Sequence, residues 1–343
     1  MKKKIYDILV VGSGLSSLSF IDSYLEKNDK IDIISFKKTK KIFSQINNKH
    51  ILKILPPQMM GEEKQVLDYF SINKIFIKNK TKIFGSLDFG GLSNYWGLQI
   101  DKNIKKDLIH YSAKTQKKII NSFIEIFNKQ NLLGEIDKDN QNLFEKNPYI
   151  DEKLLKNNKF FKTEEPILAF QKKVKGKKIN LNLINEKKES LTANNFFKKN
   201  LKNRNIIFHN YFVEKISKYK KKIILQCSNG FQKKTFITKK LVLGCGTLVT
   251  TKLVMDYLKI NKELKINHHP RLFSLYFSKK KWVNKMNFQP SHFHLKLKNN
   301  PSLFTADFRP GNKLIIDALV KFKKILYPLK FLLNFFKEYF IFS

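Results

Sequence analysis

The sequence predicts an α/β fold in which a parallel sheet and a β-meander form one domain and a partial α+β domain follows. Three observations predict it. A β-rich run at Ile5–Val11 ends in a glycine turn, followed by a helical pattern and a second β-rich run. A second apolar run, small-residue turn and helical pattern occupies 241–258. Between them, three β-rich runs predict the meander, at 206–213, 222–227 and 231–238, with Ser228-Asn229-Gly230 as a hairpin turn.

The first strand, turn and helix form a Rossmann-like unit. Gly12-Ser13-Gly14 follows the strand, Leu15–Lys27 has amphipathic helical spacing, and 31–36 is the second strand. Gly12 permits the tight turn, Gly14 lets the backbone approach a pyrophosphate, and the helix N-terminus faces that anion. The unit therefore predicts a dinucleotide site, and the alternative is an empty βαβ unit.

Two positions depart from the dinucleotide fingerprint. Ser17 stands where the third Gly or Ala belongs, and it is small enough for close packing of helix on strand. An Asp or Glu usually ends the second strand, about 20 residues on, to hold the ribose hydroxyls. Ser35 stands there instead, and Asp32, inside the strand, is predicted to point away from the ligand.

Length and charge limit the protein class. A chain of 343 residues favours two domains. The net charge is +39, but the arginines are only Arg204, Arg271 and Arg309, and lysine is spread almost evenly. Nucleic-acid sites favour clustered Arg with interleaved aromatic residues, so we expect no specific nucleic-acid binding, only loose attraction to anions. The two cysteines exclude a disulfide framework or a cysteine metal site and favour a reducing, cytoplasmic setting.

The stretch Gly85–Gly97 has an unusual composition. It holds four of the chain's 13 glycines and one of its two tryptophans. This density predicts a loop whose backbone passes close to something flat or anionic. The alternative is a surface loop anchored to the core by its Trp.

The remaining elements are placed by spacing and by stop signals. Helices are predicted at 62–70, at 112–133 with Gly134 as the stop, at 191–201 with Ser190 as N-cap, and at 250–258. Short strands are predicted at 75–77 and 82–84. The predicted domains are 1–100 with 190–262 for the dinucleotide, a helical and loop insertion at 101–189, and a partial substrate domain at 263–343.

Three segments together resemble the glucose-methanol-choline (GMC) family of flavoprotein oxidoreductases. VVGSGLSSLSF resembles the family's FAD pyrophosphate fingerprint, FGGLSNYWG its second flavin-contacting loop, and LVLGCGTLVTTKLVM its later strand, turn and helix. NRNIIFHNYFVEKI is similar to the strand that presents a Val to the adenine. The resemblance covers residues 5–258 and implies FAD as cofactor.

The resemblance implies a role for each matching residue. Gly12, Ser13, Gly14, Leu15 and Ser16 would contact the pyrophosphate, and Ser35 stands at the ribose position. The second loop would line the pyrophosphate and isoalloxazine through Gly90, Gly91, Ser93, Asn94 and Trp96. Val213 would meet the adenine, and Cys245, Gly246 and Thr247 would sit beside the adenosine end. Cys245 replaces a more usual Ala, and a buried small hydrophobe is favoured over a redox thiol.

The family's catalytic histidine motif has no match between Pro301 and Ser343. His292 and His294 alternate with apolar residues, so on a strand both face one side, where they could act as a surrogate base. The alternatives are a polar sheet face or half of a metal site without its other ligands, and no metal is expected. His268-His269-Pro270 is interpreted as a structural turn.

The segment 313–343 is apolar and aromatic, with lysines at intervals and a break at Pro328. It contains no uncharged window long enough for a membrane span. One interpretation is a helix normally covered by a missing C-terminal half. The other is an interfacial helix that contacts a membrane peripherally, with Phe inward and Lys toward lipid headgroups.

These features predict an FAD-dependent oxidoreductase that takes hydride from the hydroxyl-bearing carbon of a small sugar-like or polyol substrate. Two alternatives stay open. The first is an incomplete or non-catalytic flavoprotein from a truncated GMC-type gene. The second is a basic interaction protein at a membrane surface or anionic polymer, in which the Rossmann unit is vestigial.

Overall fold

A computed structural model of the chain describes residues 4–36, 72–76, 85–87, 89–94, 99–100, 108–130, 132–133, 159, 161–164, 167–171, 189–265, 275–277, 293–297, 305–310, 324–336 and 340–342. The chain divides into two compact units. Unit 1 comprises Met1–Trp96 and Thr192–His268, and unit 2 comprises Gly97–Leu191 and His269–Ser343. The sequence prediction divided the same chain into three parts, with 101–189 separate from 263–343.

The described strands and helices are numbered in chain order. The strands are β1 Ile5–Val11, β2 Ile31–Ile34, β3 Gln99–Ile100, β4 Leu132–Leu133, β5 Phe161–Glu164, β6 Ile167–Gln171, β7 Ile206–His209, β8 Phe212–Tyr219, β9 Lys222–Ser228, β10 Lys233–Leu243, β11 Leu275–Phe277, β12 Phe293–Leu297, β13 Thr305–Pro310 and β14 Phe340–Phe342. The helices are α1 Leu15–Leu25, α2 Ala113–Lys129, α3 Ala193–Phe196, α4 Thr247–Leu258 and α5 Lys330–Phe335.

Unit 1 is built on a six-stranded mixed sheet in the order β7-β2-β1-β10-β9-β8. The pairs β7/β2, β2/β1 and β1/β10 are parallel, whereas β10/β9 and β9/β8 are antiparallel. The predicted α/β class is confirmed. Because β1 and β10 are parallel neighbours, the turns that follow them emerge at the same edge of the sheet.

Helices α1 and α4 lie over opposite faces of this sheet. One buried cluster joins Leu9 and Val11 of β1 and Phe236 of β10 to Val249 and Leu253 of α4. Val10 of β1 and Ile31 and Ile33 of β2 alternate with this set and are also buried, so they occupy the opposite face. As the crossover between the parallel strands β1 and β2, α1 covers that face with Leu18, Ile21 and Leu25.

Unit 2 contains two antiparallel sheets. The larger has the order β11-β14-β13-β12-β5, and the smaller has the order β3-β6-β4. In the larger sheet His294 pairs with Asp307 on one side and Glu164 on the other. Across the described residues, no helix is both long and apolar enough to cross a lipid bilayer.

The meander differs from its prediction at both ends. The run 206–213 is two strands: β7 pairs in parallel with β2, and β8 begins after a turn in which Tyr211 N–H donates to the carbonyl oxygen of His209. The predicted strands at 231–238 and 241–243 are one, β10, because its first half pairs with β9 and its second half with β1.

Two helix predictions are corrected at their ends. The helix predicted over 112–133 ends at Lys129, because Leu132, only 5% exposed, is taken into the small sheet beside β6. The N-cap predicted at Ser190 is Thr192, whose Oγ1 accepts from Asn195 N–H at 3.2 Å. Beyond α3 the helix widens into a π-helix over Phe197–Leu201.

The C-terminal segment is also corrected. The predicted helical pattern extended to Phe340, but α5 ends at Phe335 and Phe340 begins strand β14. Pro328 separates a 3₁₀ turn, Lys324–Leu326, from α5, as its fixed φ predicts. The helix predicted at 62–70 and the strand predicted at 82–84 lie outside the described residues. Of the strand predicted at 75–77, Ile75 and Phe76 are described, and they are not in a strand.

Candidate functional site

The turn after β1 requires glycine at its first position. Gly12 has φ +102°, and a Cβ there would lie 2.4 Å from the carbonyl oxygen of Gly244. Gly12 N–H donates to Ile34 O at 2.9 Å, which ties the turn to the end of β2. The turn is therefore held between β2 and β10, with no room for a side chain at Gly12.

The turn after β10 meets the same point from the neighbouring strand. Gly244 N–H donates to Val11 O at 2.8 Å, and the Ser17 hydroxyl donates to Gly244 O at 3.2 Å. A Cβ at Gly244 would lie 2.0 Å from Ser17 Oγ. Ser17, at the third fingerprint position, is therefore not only small enough for close packing: its hydroxyl also links α1 to the turn after β10.

The loop that contains Gly90 is tied to the first turn and to the end of β2 through Ser13. Gly90 N–H donates to Ser13 Oγ at 3.0 Å, and Ser35 Oγ donates to the same oxygen at 2.8 Å. Ser13 is 5% exposed. One buried hydroxyl therefore holds the first turn, the end of β2 and the glycine loop together.

The glycine loop is shaped by its own polar side chains. Gly91–Asn94 forms one turn of 3₁₀ helix, and Gly90 O accepts from both the backbone N–H and the hydroxyl of Ser93. Asn94 Nδ2 donates to Phe89 O at 2.5 Å, and Asn94 Oδ1 accepts from Asn194 N–H at 3.1 Å. Asn94 thus links the loop to the first turn of α3.

Gly90 packs closely against α3. Its φ is +88°, and a Cβ there would lie 2.5 Å from the Cβ of Ala193. Beside it, the rings of Phe89, Phe197 and Phe208 form a cluster with centroids 5.3–5.8 Å apart. Loop, helix and sheet edge are therefore in mutual contact.

Gly14 differs from the other glycines of the site. A Cβ added there would meet only Gly244 O at 3.8 Å and Gly90 O at 3.9 Å, which is ordinary contact, and its φ of −70° suits any residue. No described protein group requires glycine at this position. Gly14 is also the N-cap of α1, which has no side-chain cap and no acidic residue in its first turn.

Asp32 is not part of this cluster of turns. Its Oδ1 lies 2.7 Å from Nε2 of His209, and the two side chains are 9% and 15% exposed. Burial and the charge of Asp32 raise the pKa of the nearby Tyr6 hydroxyl. That Asp32 points away from the ligand stays a prediction. The hydroxyl of Ser35, which is predicted to meet the ribose, donates a hydrogen bond to Ser13 Oγ.

The turn after β10 continues into a second uncapped helix. Gly246 has φ +84° and is the N-cap of α4, whose first turn also lacks acidic residues. Gly246 and Thr247 are exposed. Cys245 is half-buried, its Sγ lies 3.3 Å from Thr250 Oγ1, and burial raises its pKa. The raised pKa favours the thiol over the thiolate, which is the nucleophilic form.

Two other predicted site residues lie on strands and not in the turns. Val213 of β8 is 7% exposed and lines a surface pocket with Ile72, Val249 and Leu253. His294 lies in β12, in register with Glu164 of β5 and Asp307 of β13. Trp96, His292, His268 and His269 lie outside the described residues.

Sequence reasoning missed two contributors to the site and one pairing outside it. Ala193 and Asn194 receive the glycine loop, and His209 pairs with Asp32. Their partners are 100 and 177 positions away in the two hydrogen-bonded pairs. No local pattern carries such contacts, although Thr192 as a helix cap could have placed α3 correctly.

Comparison with known proteins gives limited similarity. No protein-family model matches the chain, and no curated protein sequence matches it. The structure is similar to a solved structure described as a new fungal aryl-alcohol oxidase, with 12% identity and a TM-score of 0.41 over 71% of this chain and 46% of that chain. It is also similar to a flavoprotein/dehydrogenase from Cytophaga hutchinsonii, with 10% identity and a TM-score of 0.30 over 94% of this chain and 62% of that chain.

The chain spans about half the length of the first of these proteins and about three fifths of the second. Identities and TM-scores of this size transfer no activity to this chain. Its function has to be inferred from its own residues.

Proposed function

We propose that this chain binds FAD and oxidises a hydroxyl group of a small sugar-like or polyol alcohol. The observation that carries the proposal is the meeting of three turns at the N-terminus of α1. Gly12 lies against Gly244, and Gly90 donates to Ser13. A dinucleotide pyrophosphate is held by such a helix N-terminus at the carboxyl edge of a parallel sheet.

The described residues fit a pyrophosphate at this point. The N-terminus of α1 carries unpaired backbone N–H groups and a partial positive charge, and no acidic side chain in its first turn neutralises that charge. Because Gly14 has no side chain, the approach to the N–H groups of Leu15 and Ser16 stays open. No described protein atom requires glycine at position 14, and a bound pyrophosphate that needs this space would explain it.

A second helix N-terminus faces the same edge of the sheet. Helix α4 begins at Thr247 after Gly246, again without a side-chain cap. It follows β10, the parallel neighbour of β1, and lies over the opposite face from α1. Ligands of open α/β sheets bind where neighbouring strands lead to opposite faces in this way. We assign Cys245, Gly246 and Thr247 to the adenosine end on this basis.

The proposed reaction needs a hydride acceptor and a base. When bound, FAD supplies the acceptor for the hydride that leaves the alcohol carbon. The hydroxyl proton must pass to a protein group, and the product is the carbonyl compound. We assign the base to His294 or His292.

The first test is cofactor binding. Bound nucleotides are first removed from the purified protein under mild conditions. The protein is then titrated with FAD while flavin fluorescence and absorbance at about 450 nm are followed. Saturable one-to-one binding supports the proposal. If the folded protein binds none of FAD, FMN and NAD, the proposed function is ruled out.

The second test is reduction of bound flavin by substrate. The FAD-loaded protein is mixed anaerobically with a panel of sugars, polyols and aromatic alcohols, and bleaching of the band is measured. Bleaching by one class of alcohol supports the oxidase or dehydrogenase activity. Stable binding without bleaching by any alcohol would leave a flavoprotein that does not perform this reaction.

A further inference from the structure

The segment between β13 and β14 carries an unusual concentration of exposed apolar side chains. The six that are at least 46% exposed define the C-terminal apolar surface: Ile325, Tyr327, Leu329, Phe331, Leu332 and Phe335. Ile325, Phe331 and Phe335 are 83%, 78% and 71% exposed. Single exposed hydrophobic residues are ordinary on proteins, but a contiguous run of this size marks a contact surface.

The surface is organised by α5. Phe331, Leu332 and Phe335 are spaced as neighbours on one side of a helix, whereas Leu333 between them is half-buried. The segment is anchored at both ends, since β13 and β14 pair with each other in the five-stranded sheet. The short helix α5, between two paired strands of the five-stranded sheet, therefore carries the exposed apolar side chains.

The charge around this surface is positive. Between 313 and 343 the sequence has six lysines against two acidic residues, Asp317 and Glu338. Lys321, Lys323 and Lys324 precede the surface and Lys337 follows it. The whole chain carries +39, so its long-range field attracts a polyanionic surface.

We propose that the C-terminal apolar surface docks on an anionic lipid bilayer, with its aromatic rings in the interface and its lysines at the headgroups. Exposed Phe, Tyr and Leu flanked by Lys is the composition of an interfacial anchor. A second copy of this chain fits less well, because it carries the same +39 charge. A nucleic acid offers charge but no apolar layer for these six side chains.

The test is sedimentation of the full chain with vesicles. Vesicles of phosphatidylcholine alone are compared with vesicles containing about a third phosphatidylglycerol. We expect binding to the anionic vesicles that weakens on the order of tenfold when salt rises from about 0.1 M to about 1 M, because the Debye length shortens. Equal binding to both vesicle types, or none to the anionic type, would overturn the proposal.

A matched pair of variants places the contact. Phe331→Ser with Phe335→Ser is expected to weaken binding to anionic vesicles at least about tenfold, since the buried apolar area is lost. Phe231→Ser is the control, because Phe231 is 74% exposed but lies in the turn between β9 and β10 of unit 1. Equal effects of the two changes would contradict the assignment.

Charge is tested separately. Lys323→Glu with Lys324→Glu is expected to reduce the salt-dependent part of vesicle binding. The control is Lys221→Glu with Lys222→Glu, at the turn between β8 and β9 and the first residue of β9, which is not expected to reduce it. Circular dichroism checks that each variant keeps its fold. Light scattering without lipid measures the oligomeric state. If the wild type is a dimer and the variant with Phe331→Ser and Phe335→Ser is a monomer, the surface serves self-association, and the proposal is overturned.

Discussion

Gly12 and Gly244 touch backbone to backbone, so that a Cβ at Gly12 would lie 2.4 Å from the carbonyl oxygen of Gly244. Two turns separated by most of the chain thus form one unit. The consequences for stability and for cofactor binding can be measured separately.

Gly12→Ala is expected to lower the free energy of unfolding by about 2 kcal/mol or more, because the backbone at φ +102° and the backbone atoms of Gly244 and Cys245 both oppose a side chain. Denaturant titration of the apoprotein measures it. A loss below about half a kcal/mol would mean that the two turns are not in close contact.

Gly14→Ala is expected to weaken FAD binding and to leave the free energy of unfolding nearly unchanged, in contrast to Gly12→Ala. Its Cβ meets protein atoms only at 3.8 Å or beyond, so stability changes by less than about 1 kcal/mol. Affinity for FAD falls at least about tenfold, because the methyl group lies where the pyrophosphate approaches. FAD titration of this variant beside the wild type measures the loss. Unchanged affinity would place the cofactor elsewhere.

Ser13→Ala is expected to cost more than Ser35→Ala. Ser13 Oγ accepts two hydrogen bonds, and its removal leaves the N–H of buried Gly90 without that acceptor, at a cost of about 1–3 kcal/mol. Ser35→Ala removes one donor and leaves the Gly90 bond in place. Denaturant titrations of both variants and of the double variant compare the costs. Equal costs would show that Ser13 does not hold the loop.

Both cysteines are expected to resist alkylation in the folded protein near neutral pH. Burial raises the pKa of Cys245, and burial together with the charge of Glu214 raises that of Cys227 to about 12. The folded state therefore keeps these protons to higher pH than the unfolded chain, and this part of the stability is lost as pH rises from 9.0 toward about 12.

Alkylation rates measured from pH 7 upward test the two thiols, with the unfolded protein as the reference for reactivity. Cys245→Ala is expected to keep FAD binding, because the thiol acts as a small hydrophobic group. Rapid labelling of Cys245 in the native protein would contradict its raised pKa.

His294→Gln is expected to leave FAD binding unchanged and to slow reduction of the bound flavin by an alcohol by about 10²–10⁴-fold, the usual contribution of a general base. Stopped-flow bleaching of the flavin measures the rate. His110→Gln is the matched control, because His110 is exposed beside α2. If both variants are reduced at the wild-type rate, the proton passes to another group.

The sequence predicted the parts of the site that are local. The strand, glycine turn and helix at 5–25 are encoded by hydrophobic spacing and by Gly12 and Gly14, and the structure has them with ends shifted by a few residues. The strand and helix around Gly244 were recognisable for the same reason. Short-range chemistry determines such units.

The contacts between these parts were not predictable. The run at 206–213 looks like one strand, yet β7 joins β2 while β8 joins β9, because two different neighbours compete for the same β-rich stretch. The bond from Gly90 to Ser13 spans 77 positions and the one from Asn194 to Asn94 spans 100. Partners so distant in the chain are chosen by tertiary packing, which periodicity does not encode.

The hydroxyl of Ser17 reaches the carbonyl of Gly244 across 227 positions of the chain. On a ribosome that adds about 5–20 residues per second, β1 therefore waits about 10–45 s for its second neighbour. During that time one edge of β1 is unpaired, and nascent chains on neighbouring ribosomes can pair with it. Because the first strand to be synthesised lies at the centre of the sheet, we expect the nascent chain to need chaperones until β10 has been made.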